Sequence, residues 1–174
     1  MTNFHDLLIN RHSIRKYTDE KISGEDVKLI MEAALMAPSS KRSKPWEFLL
    51  VEDKEKLEAI SHCRQFGAGP IANCSLAILV MANPEITDTW IEDASIAASY
   101  IQIQAHALGL GSCWIQIRAR FTDSDIPAED YIRSIVDIPG ELQILCAITV
   151  GHKDEERKPF DLDKLDWDKV HIAH

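Results

Sequence analysis

The chain has 174 residues, 45% of them hydrophobic and 27% charged, which suits one ordinary domain with enough apolar side chains for a core. Its formal net charge of −9 opposes non-specific attraction to nucleic acid or an anionic membrane, so any bound anion must be held by a local basic site. Cys63, Cys74, Cys113 and Cys146 form no Cys-x-x-Cys pair and read as reduced, buried thiols; with no signal-peptide pattern at the N-terminus and no apolar run of spanning length, the expected compartment is the cytoplasm.

In chain order, Phe4, Leu7 and Leu8 predict a short helix that ends near Asn10. In the Arg11-His12-Ser13-Ile14-Arg15 segment that follows, Arg11, Ser13 and Arg15 alternate. If the segment is extended they share one side, where two guanidinium forks and a hydroxyl can converge on a phosphate; the bland alternative is a solvated basic strand. Ser23 ahead of Glu25 and Asp26 marks the start of a helix carrying Val27, Ile30, Met31, Ala34 and Leu35, and Pro38 ends it. The loop from Pro38 to Trp46 holds Ser39, Ser40, Lys41, Arg42, Ser43 and Lys44 and runs into an apolar strand, Phe48 to Val51. Its donors suit an anion or a polar heterocycle; the alternative is a surface turn with Trp46 plugging the core.

Asp53 to His62 reads as a charged helix, and Phe66 to Asn73 as a Gly/Pro-containing connection with room to move. Ser75 to Ala82 is apolar throughout and should be a fully buried central strand. A helix is expected from Asp93 to Leu108. Ser95, Ser99, Gln102 and His106 form a narrow polar stripe, with Ala94, Ala97, Ala98, Ile101 and Ala105 on one flank and Ile96, Tyr100, Ile103 and Ala107 on the other. Two apolar flanks are more than one such domain is expected to cover, which points to an obligate dimer, with Ala98 and Ile101 as positions to probe. Gly109 or Gly111 can supply the positive φ that stops this helix, and a strand follows from Ser112 to Ile117. Pro127 opens a helix to Val136, and Leu142 to Val150 is a second near-continuous apolar strand. The histidines His12, His62, His106 and His152 are not at metal-ligand spacing, and His106 reads as a hydrogen-bonded core residue. Gly109-x-Gly111 follows a helix and lacks a third glycine, so it is no dinucleotide fingerprint.

Four motifs, Arg11-His-Ser-Ile-Arg15, Ala37-Pro-Ser-Ser40 leading to Pro45-Trp46, Gly109-Leu-Gly-Ser112 before Trp114, and Gly151 followed by Arg157-Lys158-Pro159, occur in the order and spacing of the nitroreductase family. The chain resembles one of its shorter members over nearly its whole length. The resemblance implies an α+β fold in one domain, residues 1–174: a three-layer α/β/α sandwich with a mixed, mostly antiparallel sheet and a buried central helix. It also implies an intertwined homodimer with FMN at the subunit interface.

Carried over by position, the resemblance puts Arg11, Ser13 and Arg15 on the flavin phosphate, ribityl chain and ring edge, with His12 contributing backbone. Arg157, with Lys158, completes the phosphate site. Pro38, Ser39 and Ser40 match the loop that the partner lays against the flavin, and Gly111, Ser112 and Trp114 the segment beside ring and phosphate. The family commonly has Asn and Gln where this chain has Arg42 and Lys44, so a cation stands where an amide is usual. The implied activity is ping-pong hydride transfer from NAD(P)H through flavin N5 to a small electron-poor acceptor such as a nitroaromatic or quinone. The alternatives are a flavin-binding sensor or carrier, and a reductive dehalogenase or flavin-modifying enzyme on the same fold. No catalytic side chain and no metal are expected, because the flavin carries the chemistry.

Overall fold

A computed structural model describes residues 3–173. Helix α1 spans Phe4–Asn10, with Asn3 accepting at its N-terminus from the His5 N–H. Helix α2 spans Gly24–Leu35; the Ser23 hydroxyl oxygen accepts from the Asp26 N–H at 3.0 Å, which satisfies one of the donors a helix start leaves free. Strand β1 (Trp46–Val51), helix α3 (Lys54–Ile60) and strand β2 (Leu76–Ala82) follow, then the long helix α4 (Trp90–Ala107), strand β3 (Gly111–Gln116), helix α5 (Ala128–Arg133) and strand β4 (Gln143–Gly151).

The four strands form one sheet in the order β1-β2-β4-β3, with every neighbouring pair antiparallel. A parallel element is present as a single bridge, between Ser13 and Ser112. Because β2 and β4 lie inside the sheet with both faces covered, they are apolar at successive residues instead of alternating. Side chains still point to opposite faces in turn. Ala77, Leu79 and Met81 pack with Leu57, Ile60 and Ile132 under α3 and α5. Leu76, Ile78 and Val80 pack with Ile30, Ala34, Ala98 and Ile101 under α2 and α4. Ile78 has no exposed surface, so truncation to Ala should cost about 2–5 kcal/mol.

Several expected boundaries move. Helix α4 begins at Trp90 instead of Asp93, because Trp90 is buried on the α2/α4 side and Arg118 stacks over its ring at 5.8 Å. Helix α5 stops at Arg133, three residues short of the expected end, where the Ser134 hydroxyl donates to the Tyr131 carbonyl. The 66–73 connection contains a 3-10 turn, Gly69–Ile71, and is anchored by fully buried Ile71 and nearly buried Ala68. Gly109 takes the positive φ, +83°, at the end of α4.

The flanks of α4 are unequal. Ala94, Ala97, Ala98, Ile101 and Ala105 are wholly buried against the chain's own core, whereas Tyr100 is 40% exposed and Ile96 and Ile103 are only half-buried. Ala98 and Ile101 therefore face inward, and a glutamate at either would attack the fold before it reached any partner. Beyond β4, residues 160–173 leave Phe160, Leu162, Leu165, Trp167, Val170 and Ile172 exposed.

Candidate functional site

The Arg11–Arg15 segment is extended and lies along β3. The Ile14 N–H donates to the Ser112 carbonyl at 2.9 Å, and Ser13 and Ser112 form the parallel bridge. The Tyr17 hydroxyl donates to the Ile14 carbonyl and lies 2.7 Å from Thr149 Oγ1 on β4. With its backbone fixed, the segment turns Arg11, His12, Ser13 and Arg15 into a cavity of about 290 Å³, which Arg157 and Phe160 close from beyond β4. Residues more than 140 positions apart thus share one small basic hollow. Its volume is at the low end of the roughly 300–1,000 Å³ of ligand pockets, a size for the phosphate end of a nucleotide.

Two groups were not singled out by the sequence: Phe160, which lines this hollow, and Glu155, which is bonded to two of its residues. Glu155 accepts from the Arg15 backbone N–H and pairs with Arg157 at 2.7 Å; that N–H first, and Arg157 after it, hold its carboxyl below the ordinary carboxylate range. Phe160 stacks on His12 with ring centroids 4.5 Å apart. His12 Nε2 is buried and, among the described residues, has no hydrogen-bond partner. An orphaned ring nitrogen beside three guanidiniums and a serine hydroxyl fits an anionic group with several acceptor oxygens. His106 is half-buried at the same end of α4, instead of lying in the core. Burial first, then Lys153, Arg11 and His12, lowers its pKa.

The other residues selected from the sequence do not line this hollow, although Ser112 pairs with Ser13, which does. Gly111 is needed for packing: a Cβ there would lie 2.7 Å from the Ile14 side chain, so the space a side chain would take is filled by the protein itself. Ser112 is buried in the bridge. Trp114 packs on the α2/α4 side of the sheet, and its Nε1–H donates to Gln116 Oε1 at 2.9 Å. Lys158 is exposed and does not line the hollow.

Pro38, Ser39, Ser40, Arg42 and Lys44 lie at the opposite end of α4. Ser40 N–H donates to Asp93 Oδ1 at 2.9 Å in the first turn of that helix. Thirteen residues of helix separate Asp93 from His106, about 20 Å at 1.5 Å per residue. Lys41, Arg42 and Lys44 all have positive φ, 51°, 60° and 46°, a region that costs a non-glycine residue about 1–3 kcal/mol each. A larger cavity, about 700 Å³, is lined by Asp19, Lys21, Glu52, Lys54 and Ser75 among others and holds none of the selected residues; its Lys54 pairs with Asp19 at 3.4 Å.

Known proteins resemble this chain over most of its length. The model of the Nitroreductase family matches residues 8–66 and 64–152. A candidate NADH dehydrogenase/NAD(P)H nitroreductase of Archaeoglobus fulgidus is 32% identical over 170 residues, covering 95% of this chain and 94% of its own. An FMN reductase (NADPH) of Bacillus subtilis is 25% identical over 173 residues, covering 87% of this chain and 66% of its own. The solved structure of an FMN-dependent nitroreductase from Clostridium difficile superposes with a TM-score of 0.94 at 50% identity, over 97% of this chain and 98% of that one.

Proposed function

Because this chain belongs to the nitroreductase family, we propose that it is an FMN-dependent NAD(P)H oxidoreductase that reduces an electron-poor nitroaromatic or quinone, with each flavin held between two copies of the chain. The observation that carries the reading is the hollow of Arg11, Ser13, Arg15 and Arg157 with the unpartnered His12 Nε2. FMN held there by Arg11, Ser13, Arg15 and Arg157 would supply the hydride-transfer chemistry between NAD(P)H and the second substrate.

The chain's own residues bind and orient. Arg11, Arg15 and Arg157 neutralise a phosphate locally in a protein of net charge −9, which non-specific attraction could not do. Ser13 adds a hydroxyl donor. The Ser39–Lys44 loop presents backbone, hydroxyl and cationic groups about 20 Å away along α4. Between them lies the uncovered flank of Ile96, Tyr100 and Ile103. A second copy packed on that flank brings one chain's loop toward the other's hollow, and the exposed apolar residues of 160–173 give it more surface to cover. Among the described residues no helix is long and apolar enough to cross a membrane.

The test is an absorbance spectrum of the purified protein, followed by NAD(P)H under argon and then a quinone. A yellow protein that bleaches and recovers its colour is expected. A colourless protein that also fails to take up added FMN ends the reading, and a coloured one that NAD(P)H leaves unbleached makes it a carrier. For the dimer, Ile103→Glu on the open flank should give monomers without flavin in sedimentation, and a folded monomer with full flavin occupancy refutes the shared site.

A further inference from the structure

Asp93 is an acid in the wrong place for a core. It lies four residues ahead of Ala97 and eight ahead of Ile101, in the buried row of α4, and is 3% exposed. Among the described residues no lysine, arginine or histidine pairs with it. Its Oδ1 accepts from the Ser40 N–H at 2.9 Å, while its Oδ2 accepts from the Ser43 hydroxyl at 3.4 Å and the Thr89 hydroxyl at 3.3 Å. Its place in the first turn of α4 puts the carboxylate at the favourable end of the helix dipole.

What those bonds hold is a loop whose backbone would not choose its own shape. Of the five non-glycine residues with positive φ among the described residues, Lys41, Arg42 and Lys44 fall within four positions, directly between and beside the two serines that Asp93 grips. Within itself the loop is tied by the Lys44 N–H to Ser39 Oγ at 3.0 Å and by two backbone bonds, Arg42 N–H to the Ser39 carbonyl at 3.1 Å and Ser43 N–H to the Ser40 carbonyl at 2.9 Å, while Asp93 is what fastens it to α4. Such a conformation persists only when its surroundings over-determine it. All three strained residues are cations, and their side chains are exposed.

We propose that Asp93 is the positioning residue of the flavin-facing loop: it locks the strained Ser39–Lys44 backbone so that the loop's donors and cations meet the partner's flavin in one fixed arrangement. The proposal rests on the oxidoreductase reading for what the loop faces, though not for the lock. Asp93 touches no substrate, and its effect passes through Ser40 and Ser43.

The experiment is native-state digestion of the FMN-loaded protein with trypsin, following cleavage after Lys41 and Arg42 by mass spectrometry at a temperature where circular dichroism shows each variant folded. Asp93→Ala should be cut faster, on the order of tenfold, the factor that about 1.4 kcal/mol of lost anchoring gives. Asp93→Asn keeps an oxygen for the Ser40 N–H and should stay close to wild type. In Asp93→Ala the midpoint potential of the bound flavin should also shift, and in Asp93→Asn it should return toward the wild-type value. Equal cleavage rates in wild type and Asp93→Ala overturn the lock. Faster cleavage with an unmoved potential overturns the positioning role. If Asp93→Ala fails to fold, Ser43→Ala with Thr89→Ala must still speed cleavage, and no acceleration there overturns the lock. A wild type that binds no FMN sinks the oxidoreductase reading on its own, while the cleavage ratio still decides the lock.

Discussion

The molecule carries two cationic clusters, one near each end of α4, built by opposite means. Arg11, Arg15 and Arg157 come from distant parts of the chain, are brought together by the Ser13–Ser112 bridge and β4, and keep an internal counter-charge in Glu155. Lys41, Arg42 and Lys44 are neighbours in sequence, adopt positive φ, and hang from a buried carboxylate that pairs with none of them. Cations that converge through tertiary structure enclose a compact anion. Cations spread along a strained loop enclose nothing and act at a distance, on whatever the loop is laid against. The first cluster should hold the cofactor and the second should tune it.

The largest expected effect tests that division directly. Arg15→Ala should weaken FMN binding roughly ten- to 150-fold, the loss of a charge-assisted bond of about 1.5–3 kcal/mol, whereas Arg42→Asn should leave the affinity within about twofold. Fluorescence titration of the two apoproteins measures both, and equal losses would erase the distinction.

Acid should single out the first cluster. Glu155 has a depressed pKa in the fold, so its stabilising contribution is present above its ordinary value, about 4.3, and is lost as pH falls through the lower folded value. His106 is depressed too. The unfolded chain takes up that proton first, so stability declines as pH drops below about 6.5. Thermal melts from pH 7 to 3 should show a gap between wild type and Glu155→Gln that is open at pH 6 and narrows below about pH 4.3. A gap that does not change with pH assigns Glu155 no role as a charge.

The smallest effect belongs to the second cluster. Removing the Arg42 charge should make the flavin harder to reduce, because a nearby cation stabilises the negative charge gained on reduction. At about 4 Å and an effective dielectric of 20 two charges interact by about 4 kcal/mol, which exposure and salt reduce to roughly 1 kcal/mol, or on the order of 20 mV for two electrons. Redox-dye titration of Arg42→Asn and Lys44→Gln decides it. Midpoints unmoved in both, with FMN still bound, would leave this cluster no electrostatic part in the site.

Much of this was legible because the signals are local. The unbroken apolar runs of β2 and β4 announced strands covered on both faces, and the alternation of Arg11, Ser13 and Arg15 announced a shared side. What escaped depends on contacts between distant segments. Gly111 stood in the segment matched to ring and phosphate, and nothing local showed that its missing Cβ also makes room for Ile14, ninety-seven residues away in sequence. His106 read as core because its helix is apolar, yet it lies beside Arg11, His12 and Lys153. Asp93 did leave a trace, a lone acid in the same four-residue row as Ala97 and Ile101, though nothing in the row told which loop it would grip. Trp90 drew α4 three residues earlier than expected by packing that no cap residue signalled.

The strand order β1-β2-β4-β3 bears on how the protein is made. The last of the four strands to leave the ribosome is an interior one, so until β4 arrives β2 and β3 have no common neighbour and both expose edges. At about 5–20 residues per second, Arg157 emerges roughly seven to thirty seconds after Arg15. During that interval the nascent chain has half of the basic hollow and an unfinished sheet. A hollow that needs both Arg15 and Arg157 can close around an anion only once the chain beyond β4 has emerged.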